Sequence, residues 1–551
     1  MRWVMLRESI EQLNKLPQKI FAESVQIDAK KLTIGIICAQ NETTLAHQNL
    51  EIICEKVKEG ALQQGATCKL MHISSIDDTL LRDTNTGKYS LPSRDLTANQ
   101  VEMLCATECF DGVVFVASHP NTVCGMLLGA IRVNIPCAFV SQGVMSPIVF
   151  AGKEYGYTHY AEQIALLKLG KTPYESLQEI ESNLPTAFGT DCDSYSDNSF
   201  NCLLEVIGLA VQGNGTTQAN TVARNNIATN TGKLAVALSQ NKCTPRRVIT
   251  QPVLENLIKI DLACGASTTT LMNLIAIAKE LSIKNITLKD IGDMAKTTPL
   301  LLSKEKESLC LMKQFAQAGG PLAIAKRLAD GKLLNTKVEL ADGTLLKDVL
   351  QNITIAYEGV ICSIENAPMA QSPLQVVYGN ISEGGAFARY HNDKVFSGVA
   401  KVYANEEMAV EAILCREINK GDVVVIRNEG PTSCPGMREI ILPFALLKGY
   451  DLDKHVAVIT DGRISDCYQG FAVGHVTPET NFQTVFSVLQ DGDPIEINIT
   501  KGKITCDIKS KELQQRLRHI DDQIGNYASP YLKSWTKTCD TASNGCVTLK
   551  K

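Results

Sequence analysis

The chain has 551 residues, of which 44% are hydrophobic and 21% charged. This length and composition suffice to bury at least two ordinary cores, which excludes a disordered or fibrous protein. The formal net charge is -5 and aromatic residues make up only 5%, so neither nucleic acid nor a membrane is an expected partner. No apolar run approaches the ~18 residues that a membrane span needs. These properties favour a cytoplasmic protein that binds or converts a small molecule.

The cysteines support this expectation. There are 19 of them, an odd number, with irregular spacing and no C-x-x-C pair. A disulfide framework or a zinc ribbon would need regular pairs, so free thiols in a reducing compartment are predicted.

The first region, roughly residues 30 to 150, alternates short β-branched apolar runs with helical periodicity, which is typical of a parallel α/β sheet. The predicted elements, in chain order, are a strand at Leu32–Ile37, a helix at Leu50–Gly65, and strands at Gly112–Val116 and Cys137–Val140.

Residues 150 to 350 have mainly helical periodicity. Helices are predicted at Ser199–Val211, Leu254–Leu281 and Leu309–Ala329, with glycine-rich joints at Gly213–Gly215 and Gly319–Gly320.

The composition changes near residues 360 to 380, where Pro368 and Pro373 lie in a polar stretch typical of a linker. Beyond it, Asp422–Arg427 and Val456–Thr460 are predicted strands, and the alternation of Ile495–Thr500 before a Lys-Gly turn predicts a hairpin. The chain is therefore divided into a large N-terminal α/β domain with a parallel sheet, residues 1–365, and a strand-rich C-terminal domain, residues 366–551.

Three loops marked by glycine or proline carry polar side chains directly after predicted strands, where open α/β sheets bind ligands. They are His119–Met126, Glu429–Glu439 and Asp461–Gly470. The motifs that accompany them are Tyr89-Ser90-Leu91-Pro92-Ser93-Arg94, Asn134-Ile135-Pro136, Asn198-Ser199-Phe200-Asn201-Cys202-Leu203, Gly213-Asn214-Gly215-Thr216 and Gly474-His475-Val476-Thr477-Pro478-Glu479.

Together these segments resemble the dihydroxy-acid dehydratase / 6-phosphogluconate dehydratase family, from about Ile34 to the C-terminus and in matching order. The resemblance implies a hydro-lyase that converts 2,3-dihydroxy acids or sugar acids to 2-keto acids. It also implies that the C-terminal domain is a β-barrel flanked by helices, that the site lies between the domains, and that the protein is a homodimer or homotetramer. Family members use an iron-sulfur cluster held by three cysteines, a magnesium ion and a serine base.

Ser465 occupies the position of the family's serine base. The residues after it, Asp466-Cys467-Tyr468-Gln469-Gly470, depart from the small residues usual in the family. A carboxylate at Asp466 would oppose an alkoxide beside it. A loop serine without a catalytic role is therefore an equal alternative.

Two of the family's magnesium ligands are present and two are altered. Asp78 and Glu439 align with family carboxylates, the oxygen donors that Mg²⁺ prefers, although a surface carboxylate is the alternative for each. The other two positions, an Asp and a carbamylated Lys in the family, fall at Pro120 and Asn121. Proline has no side-chain donor, and asparagine cannot be carbamylated.

The three cluster cysteines of the family fall at Ala46, His119 and Asp191. A one-residue loop deletion would place Cys192 at the third position instead, so Cys192 is a possible thiol ligand. One His and one Cys do not normally hold an iron-sulfur cluster. We therefore expect a divergent member of the family that lacks the cluster.

The replacements suggest a mononuclear metal. His119, Asp191, Asp78 and Glu439 would supply one nitrogen and three carboxylates, a set suited to Mg²⁺, Mn²⁺, Fe²⁺ or Zn²⁺. One hypothesis is a divergent hydro-lyase acting on a small hydroxy acid. A second is a non-catalytic homologue that binds a small carboxylate, a sugar acid or a partner subunit, because fold does not carry function when the site has changed. A third, which similarity alone would assign, is an ordinary dehydratase with unusual ligands.

Two further features have structural explanations that we favour. His47 and His475 match residues common in the family; each is expected to be a hydrogen-bonded structural histidine, with a role in orienting a ligand as the alternative. Gly213–Thr216 is expected to be a helix C-cap and turn, with an anion-binding nest as the alternative.

Overall fold

The structure is a computed structural model that describes residues 31–42, 47, 49–76, 87–108, 110–183, 189–306, 308–391, 393–433, 436–465, 470–518 and 529–548. Ala46, Asp78 and Asp466 lie outside the described residues.

The strands fall in two groups on either side of a long helical stretch. They are β1 (Thr33–Ala39), β2 (Thr67–Ile73), β3 (Gly112–Val116), β4 (Cys137–Val140), β5 (Ile148–Phe150), β6 (Lys153–Tyr155), β7 (Leu374–Val377), β8 (Gly385–Arg389), β9 (Val395–Tyr403), β10 (Asp422–Ile426), β11 (Glu439–Ile440), β12 (Ala457–Thr460), β13 (Arg463–Ile464), β14 (Phe471–Thr477), β15 (Pro494–Asn498) and β16 (Lys503–Cys506).

The α-helices are α1 (Leu50–Gln63), α2 (Ser90–Thr107), α3 (Pro120–Val133), α4 (Tyr157–Lys168), α5 (Tyr174–Ser182), α6 (Ser199–Val206), α7 (Val222–Gln240), α8 (Pro245–Val248), α9 (Gln251–Ala263), α10 (Thr268–Glu280), α11 (Leu288–Thr297), α12 (Leu311–Ala318), α13 (Gly320–Asp330), α14 (Leu346–Gln351), α15 (Glu406–Leu414), α16 (Leu442–Gly449), α17 (Val485–Val488), α18 (Ser510–Leu517) and α19 (Pro530–Thr538).

The N-terminal sheet is parallel throughout, in the order β2-β1-β3-β4. Every residue of β1 and β3 is buried, because helices cover the sheet and the strands are apolar on both faces. The predicted α/β class and the strands at β1, β3 and β4 are confirmed.

The C-terminal sheet has eight strands in the order β16-β15-β9-β10-β12-β14-β8-β7. Its two edges meet just beyond β7, where the N–H of Tyr378 donates to the Gly502 carbonyl at 2.9 Å and the N–H of Ile504 donates to the Tyr378 carbonyl at 2.9 Å. These bonds join the edges of the sheet, so the predicted barrel flanked by helices is confirmed. The β15–β16 hairpin is also confirmed.

The helical predictions were wrong in their lengths. The stretch Leu254–Leu281 is two helices, α9 and α10, because Gly265 and Ala266 have φ of +100° and +63°. The stretch Leu309–Ala329 is likewise divided into α12 and α13 at Gly319, whose φ is +115°. Helical periodicity continues across both breaks, so it could not show where the backbone turns left-handed.

The break before α10 creates a helix start at the site described below. Ser267 caps this helix, its hydroxyl accepting a bond from the N–H of Thr270 at 3.3 Å. Within the described ranges, no helix combines the length and apolarity needed to cross a membrane.

Candidate functional site

Arg463 is the centre of a buried polar network between the N-terminal and C-terminal parts of the chain. Its side chain is 3% exposed. The Nε–H donates to the Met437 carbonyl at 2.7 Å, while Nη1 and Nη2 donate to Thr269 Oγ1 at 3.1 Å and Ser90 Oγ at 3.3 Å. The guanidinium is therefore held in place by groups from three separate segments.

Glu439 lies beside this guanidinium. Strands β11 and β13 pair in parallel with Glu439 opposite Arg463, and Arg463 Nη1 lies 3.7 Å from Glu439 Oε2. The Glu439 side chain is 16% exposed. The predicted magnesium ligand is thus an ion-pair partner of an arginine.

Asn121 belongs to the same network. Its amide Nδ2 donates to Ser90 Oγ at 2.9 Å, and its Oδ1 accepts from Asn273 Nδ2 at 3.2 Å. Asn273 Oδ1 in turn accepts from Arg94 Nη1 at 3.1 Å. Asn121 therefore serves as a hydrogen-bonded link between helices.

Three helices begin at this network. Ser90 is the first residue of α2, Asn121 the second of α3 and Thr269 the second of α10. The N-terminal end of a helix carries a partial positive charge. Together with Arg463, these ends favour an anionic group such as a carboxylate at the site.

Ser465 follows β13 directly and is 5% exposed. The carbonyl of the preceding residue, Ile464, accepts a bond from Thr268 Oγ1 at 3.4 Å, which ties the segment to the start of α10. The candidate base therefore lies two residues from Arg463, directly after a short strand that is tied to α10.

His119 and Pro120 lie at the start of α3. His119 is the N-cap residue, is 2% exposed, and has side-chain or backbone interactions of its own. Pro120 is the first helical residue, a position that proline favours because its missing N–H would have no partner there.

Asp191 is buried against Gly156. It is 2% exposed, its Oδ1 accepts from the N–H of Asp193 at 2.9 Å, and a Cβ added at Gly156 would lie 1.8 Å from that oxygen. A residue with a Cβ at position 156 would therefore displace this carboxylate.

The free thiol of Cys192 contacts the thiol of another cysteine. Its Sγ lies 2.9 Å from the Sγ of Cys310 and 3.5 Å from the Tyr155 carbonyl. The hydrogen bond to Cys310, burial and the nearby Asp191 carboxylate all raise the pKa of the Cys192 thiol well above its ordinary value. In the absence of a metal ion, Cys192 is thus a neutral thiol.

The predicted metal ligands do not form a group among the described residues. In the part of the chain that the structure describes, no three His, Cys, Asp or Glu side chains gather closely enough to hold a metal ion. His119, Asp191 and Glu439 therefore do not form such a group by themselves, and the four-ligand set with Asp78 stays a prediction.

His475 departs from its expected role. It is 2% exposed, and neither ring nitrogen has a hydrogen-bond partner. Its prediction as a hydrogen-bonded structural histidine was therefore wrong, whereas His47 accepts a bond from the N–H of Asn41 at 3.0 Å, as expected. Burial, with a contribution from the charge of Arg463, lowers the pKa of His475 to about 3.

Gly213–Thr216 is a turn, as expected, but the expected helix C-cap was wrong because α6 ends at Val206 and its C-cap is Ile207. The turn is a nest of backbone N–H groups that binds a carboxylate of the chain itself. The N–H groups of Gly213 and Gly215 donate to the two carboxylate oxygens of Glu205 at 2.8 and 2.6 Å. Burial raises the pKa of Glu205 to about 7, although both bonds and Arg224 oppose the shift. The segment thus has a structural role.

Comparisons with known proteins identify the family. Two family models, the dihydroxy-acid/6-phosphogluconate dehydratase N-terminal and C-terminal regions, match residues 31–349 and 359–546. The chain belongs to this dehydratase family.

Curated relatives match nearly full length. The dihydroxy-acid dehydratase of Acetivibrio thermocellus is 32% identical over 522 residues, 94% of each chain. That of Pyrococcus abyssi is 31% identical over 553 residues, covering 99% of this chain and 100% of the relative. That of Halothermothrix orenii is 32% identical over 548 residues, covering 98% and 99%.

Sequence reasoning within the family missed part of the site. Arg463, Ser90 and Asn273 were not predicted as site residues, although the first two lie in quoted motifs. Arg463 could have been found from its position two residues before Ser465. Arg463 lies in β13, and Ser465 directly follows that strand.

Proposed function

We propose that this protein is a divergent hydro-lyase that removes water from a small hydroxy acid. Family membership supports the reaction class, and the names of the relatives support a dihydroxy acid as the substrate class. The observation that carries the proposal is the buried network in which Arg463 joins Glu439 to Ser90 and Thr269. A fixed cation and three helix starts suit the carboxylate of such a substrate.

The proposed reaction removes a proton from C2 and the hydroxyl from C3, and the resulting enol becomes a 2-keto acid. Ser465, as its alkoxide, is the group that we assign to accept the C2 proton and to return it to the departing C3 hydroxide, which leaves as water. Arg463 would stabilise the negative charge that develops at the substrate, because its guanidinium is already held in position before the reaction.

We propose that this chemistry proceeds without the family's iron-sulfur cluster. His119 and Asp191 supply nitrogen and oxygen where the family has thiolates. The Cys192 thiol contacts Cys310, and one His with one Cys does not normally hold such a cluster. The residues present thus do not fit such a cluster, and no step of the reaction is assigned to it.

A divalent metal is a further part of the proposal: Mg²⁺, Mn²⁺, Fe²⁺ or Zn²⁺ bound by His119, Asp191, Glu439 and Asp78. One imidazole and three carboxylates are suitable donors for these ions. Because the described members of the set do not gather by themselves, we assign no reaction step to the metal.

A non-catalytic homologue is the second candidate. It is favoured by the internal pairing of the altered site, where Asn121 is bonded at both ends and Glu439 is paired with Arg463. Such a protein would bind a small carboxylate or sugar acid, or serve as a partner subunit.

For either candidate we propose a cytoplasmic homodimer or homotetramer. The cytoplasmic location is supported by the many cysteines without paired spacing.

The first test is elemental analysis of protein purified without oxygen or chelator. We expect one divalent metal per chain without acid-labile sulfide in the wild type, and loss of that metal in His119→Ala. His455→Ala, a change at an exposed histidine, is the matched control. Near-stoichiometric iron with sulfide would overturn the proposal that the cluster is absent.

The second test is turnover of 2,3-dihydroxyisovalerate and D-gluconate, measured as 2-keto acid formed. We expect turnover of at least one acid by the wild type and none by Ser465→Ala. Binding of an acid without turnover would instead support the non-catalytic homologue. If neither acid binds, both the hydro-lyase and the acid-binding homologue are contradicted.

A further inference from the structure

His475 is the exception among the buried histidines of the described residues. His47, His119 and His475 are 3%, 2% and 2% exposed. Both of the first two have interactions, but neither ring nitrogen of His475 has a hydrogen-bond partner. A buried polar group without a partner loses the bonds that water would make, at a cost of about 1–3 kcal/mol. Native structures retain few such groups, and those retained call for an explanation.

The backbone holds this imidazole in an unusual position. His475 lies in strand β14, where the register against β8 shifts between Gly474 and Thr477, and its φ is +60°. Such a bulge redirects a side chain relative to the rest of its strand, and bulges are common beside active sites.

The bulge is fixed from both sides. The N–H of His475 donates to the Gly462 carbonyl at 2.9 Å, and its own carbonyl accepts from Thr477 Oγ1 at 3.0 Å. Gly462 directly precedes Arg463 in the network and lies three residues before Ser465. The backbone of His475 is thus attached to the same short segment as the cation and the candidate base.

The surroundings keep the ring neutral. Phe387 packs against it edge-on, with ring centroids 5.3 Å apart and an angle of 81°. The positive charge of Arg463 and the lack of solvent both disfavour a second proton on the ring. A neutral imidazole has one N–H donor and one lone pair.

We infer that His475 is a ligand-contacting residue that hydrogen-bonds a hydroxyl group of the bound hydroxy acid, an inference that rests on the proposed function. A hydroxyl can accept from the N–H or donate to the lone pair, so it matches either nitrogen of a neutral ring. A carboxylate accepts only, and the helix starts and Arg463 suit it better. His475 therefore distinguishes hydroxy acids from acids of the same shape that lack the hydroxyl.

Calorimetric binding of paired ligands tests this assignment. The probes are 2,3-dihydroxyisovalerate and isovalerate, which share the carboxylate and carbon skeleton, with D-gluconate as a sugar-acid probe. We expect His475→Phe to weaken binding of the hydroxy acid about tenfold, the effect of one hydrogen bond of about 1.4 kcal/mol, and to leave isovalerate binding unchanged. His455→Phe, at an exposed histidine, is the matched control and should change neither.

His475→Asn separates hydrogen bonding from packing. The asparagine amide supplies a donor and an acceptor, and asparagine tolerates a left-handed backbone. We expect it to recover part of the hydroxy-acid affinity lost in the Phe variant. If affinity instead follows the melting temperature in both variants, the role is structural and the inference is wrong.

A spectroscopic measurement on the wild type does not depend on a variant that folds well. In protein labelled with ¹⁵N-histidine, the ring signals absent from His475→Asn are those of His475. They should shift on addition of 2,3-dihydroxyisovalerate or D-gluconate and not on addition of isovalerate. If that variant does not fold, one pair of neutral-ring signals should still respond to the hydroxy acid alone, and a spectrum without any such response overturns the inference.

The outcomes separate the two proposals. If the wild type binds neither hydroxy acid, the proposed function fails and the assignment of His475 fails with it. If the wild type binds a hydroxy acid but His475→Phe binds it equally well and the ring signals do not shift, the proposed function stands and the inference alone is overturned.

Discussion

The carboxylate of Glu439 and the guanidinium of Arg463 lie side by side because strands β11 and β13 pair in parallel register. Arg463 also bonds to Ser90 and Thr269, which belong to helices of the N-terminal part. Arg463, in the C-terminal part, is thus both the electrostatic partner of Glu439 and a polar contact to two N-terminal helices.

Replacement of Arg463 by Gln should therefore be strongly destabilising. The change leaves Glu439 without its cation and removes donors from the buried Ser90 and Thr269 hydroxyls, so we expect a loss of about 3 kcal/mol in the free energy of unfolding. Urea unfolding measures it. Arg247→Gln is the matched control, because Arg247 and Glu339 form an exposed pair, with side chains 55% and 50% exposed, whose loss should cost less than about 1 kcal/mol. Equal effects of the two changes would contradict the assigned role of Arg463.

Asn121 and Asn273 should be energetically coupled. Each is buried, and their amides are joined at 3.2 Å. Each single change to Ala should cost about 1–3 kcal/mol because it leaves a buried polar group unpaired. The double variant should cost less than the sum, with a coupling of about 0.5–2 kcal/mol. Additive effects in a double-mutant cycle would show that the link contributes nothing.

Gly156→Ala should displace Asp191 without changing it chemically. The new Cβ would lie 1.8 Å from Asp191 Oδ1, so the carboxylate must leave its bond with the N–H of Asp193. If Asp191 serves the site, this variant and Asp191→Ala should lose metal or hydroxy-acid binding to a similar degree. Gly449→Ala is the control, because its Cβ would meet nothing closer than 3.3 Å. Unchanged binding in Gly156→Ala would separate Asp191 from the site.

The thiols should differ sharply in reactivity. Cys415 is exposed, whereas Cys192 and Cys310 are 3% and 1% exposed, and the pKa of Cys192 is raised well above its ordinary value. Because the thiolate is the reactive form, N-ethylmaleimide should label Cys415 in the native protein and the other two only after unfolding. Peptide mass spectrometry follows each residue. Rapid native labelling of Cys192 would indicate a thiolate and reopen its prediction as a metal ligand.

Much of the fold could be predicted from the sequence because its signals are local. The runs of β-branched residues at β1, β3 and β10 are buried strands, and alternation with a Lys-Gly turn gave the β15–β16 hairpin. Barrel closure was implied only by the resemblance, since Tyr378 meets Gly502 and Ile504 across more than a hundred residues.

The site was less predictable because its contacts join segments that are distant in sequence. The aligned positions identified Glu439, Asn121 and Ser465 singly, but the links between them pass through Ser90, Asn273 and Arg463 from distant segments. A hydrogen-bond partner is a property of three-dimensional proximity, which one sequence does not contain. The unpaired ring of His475 was missed because the sequence shows only the type of residue.

Glu429 should make the stability of the protein depend on pH. Its carboxylate is 2% exposed and accepts bonds from Arg438 Nη2 at 2.6 Å and from the N–H of Glu406 at 2.9 Å. Burial raises its pKa from 4.5 to about 8, with smaller contributions from neighbouring carboxylates, while Arg438 opposes the shift. The folded protein therefore retains a proton that the unfolded chain releases above pH 4.5, so this group lowers stability as pH rises from about 5 to about 8.

Glu429→Gln removes that titration because the amide resembles the protonated acid. Relative to the wild type, its free energy of unfolding should rise with pH across this window, by no more than about 1.4 kcal/mol per pH unit. Glu407→Gln is the control: its side chain is 44% exposed, and a hydrogen bond from Arg438 lowers its pKa against the effect of burial. The ionised Glu407 carboxylate stabilises the folded protein, and this effect is lost only as pH falls below the pKa of Glu407 in the unfolded chain. The difference in free energy of unfolding between Glu407→Gln and the wild type should therefore stay flat between pH 5 and 8. A flat difference for Glu429→Gln in urea titrations at pH 5.5, 6.5 and 7.5 would show that Glu429 is ionised in the folded protein.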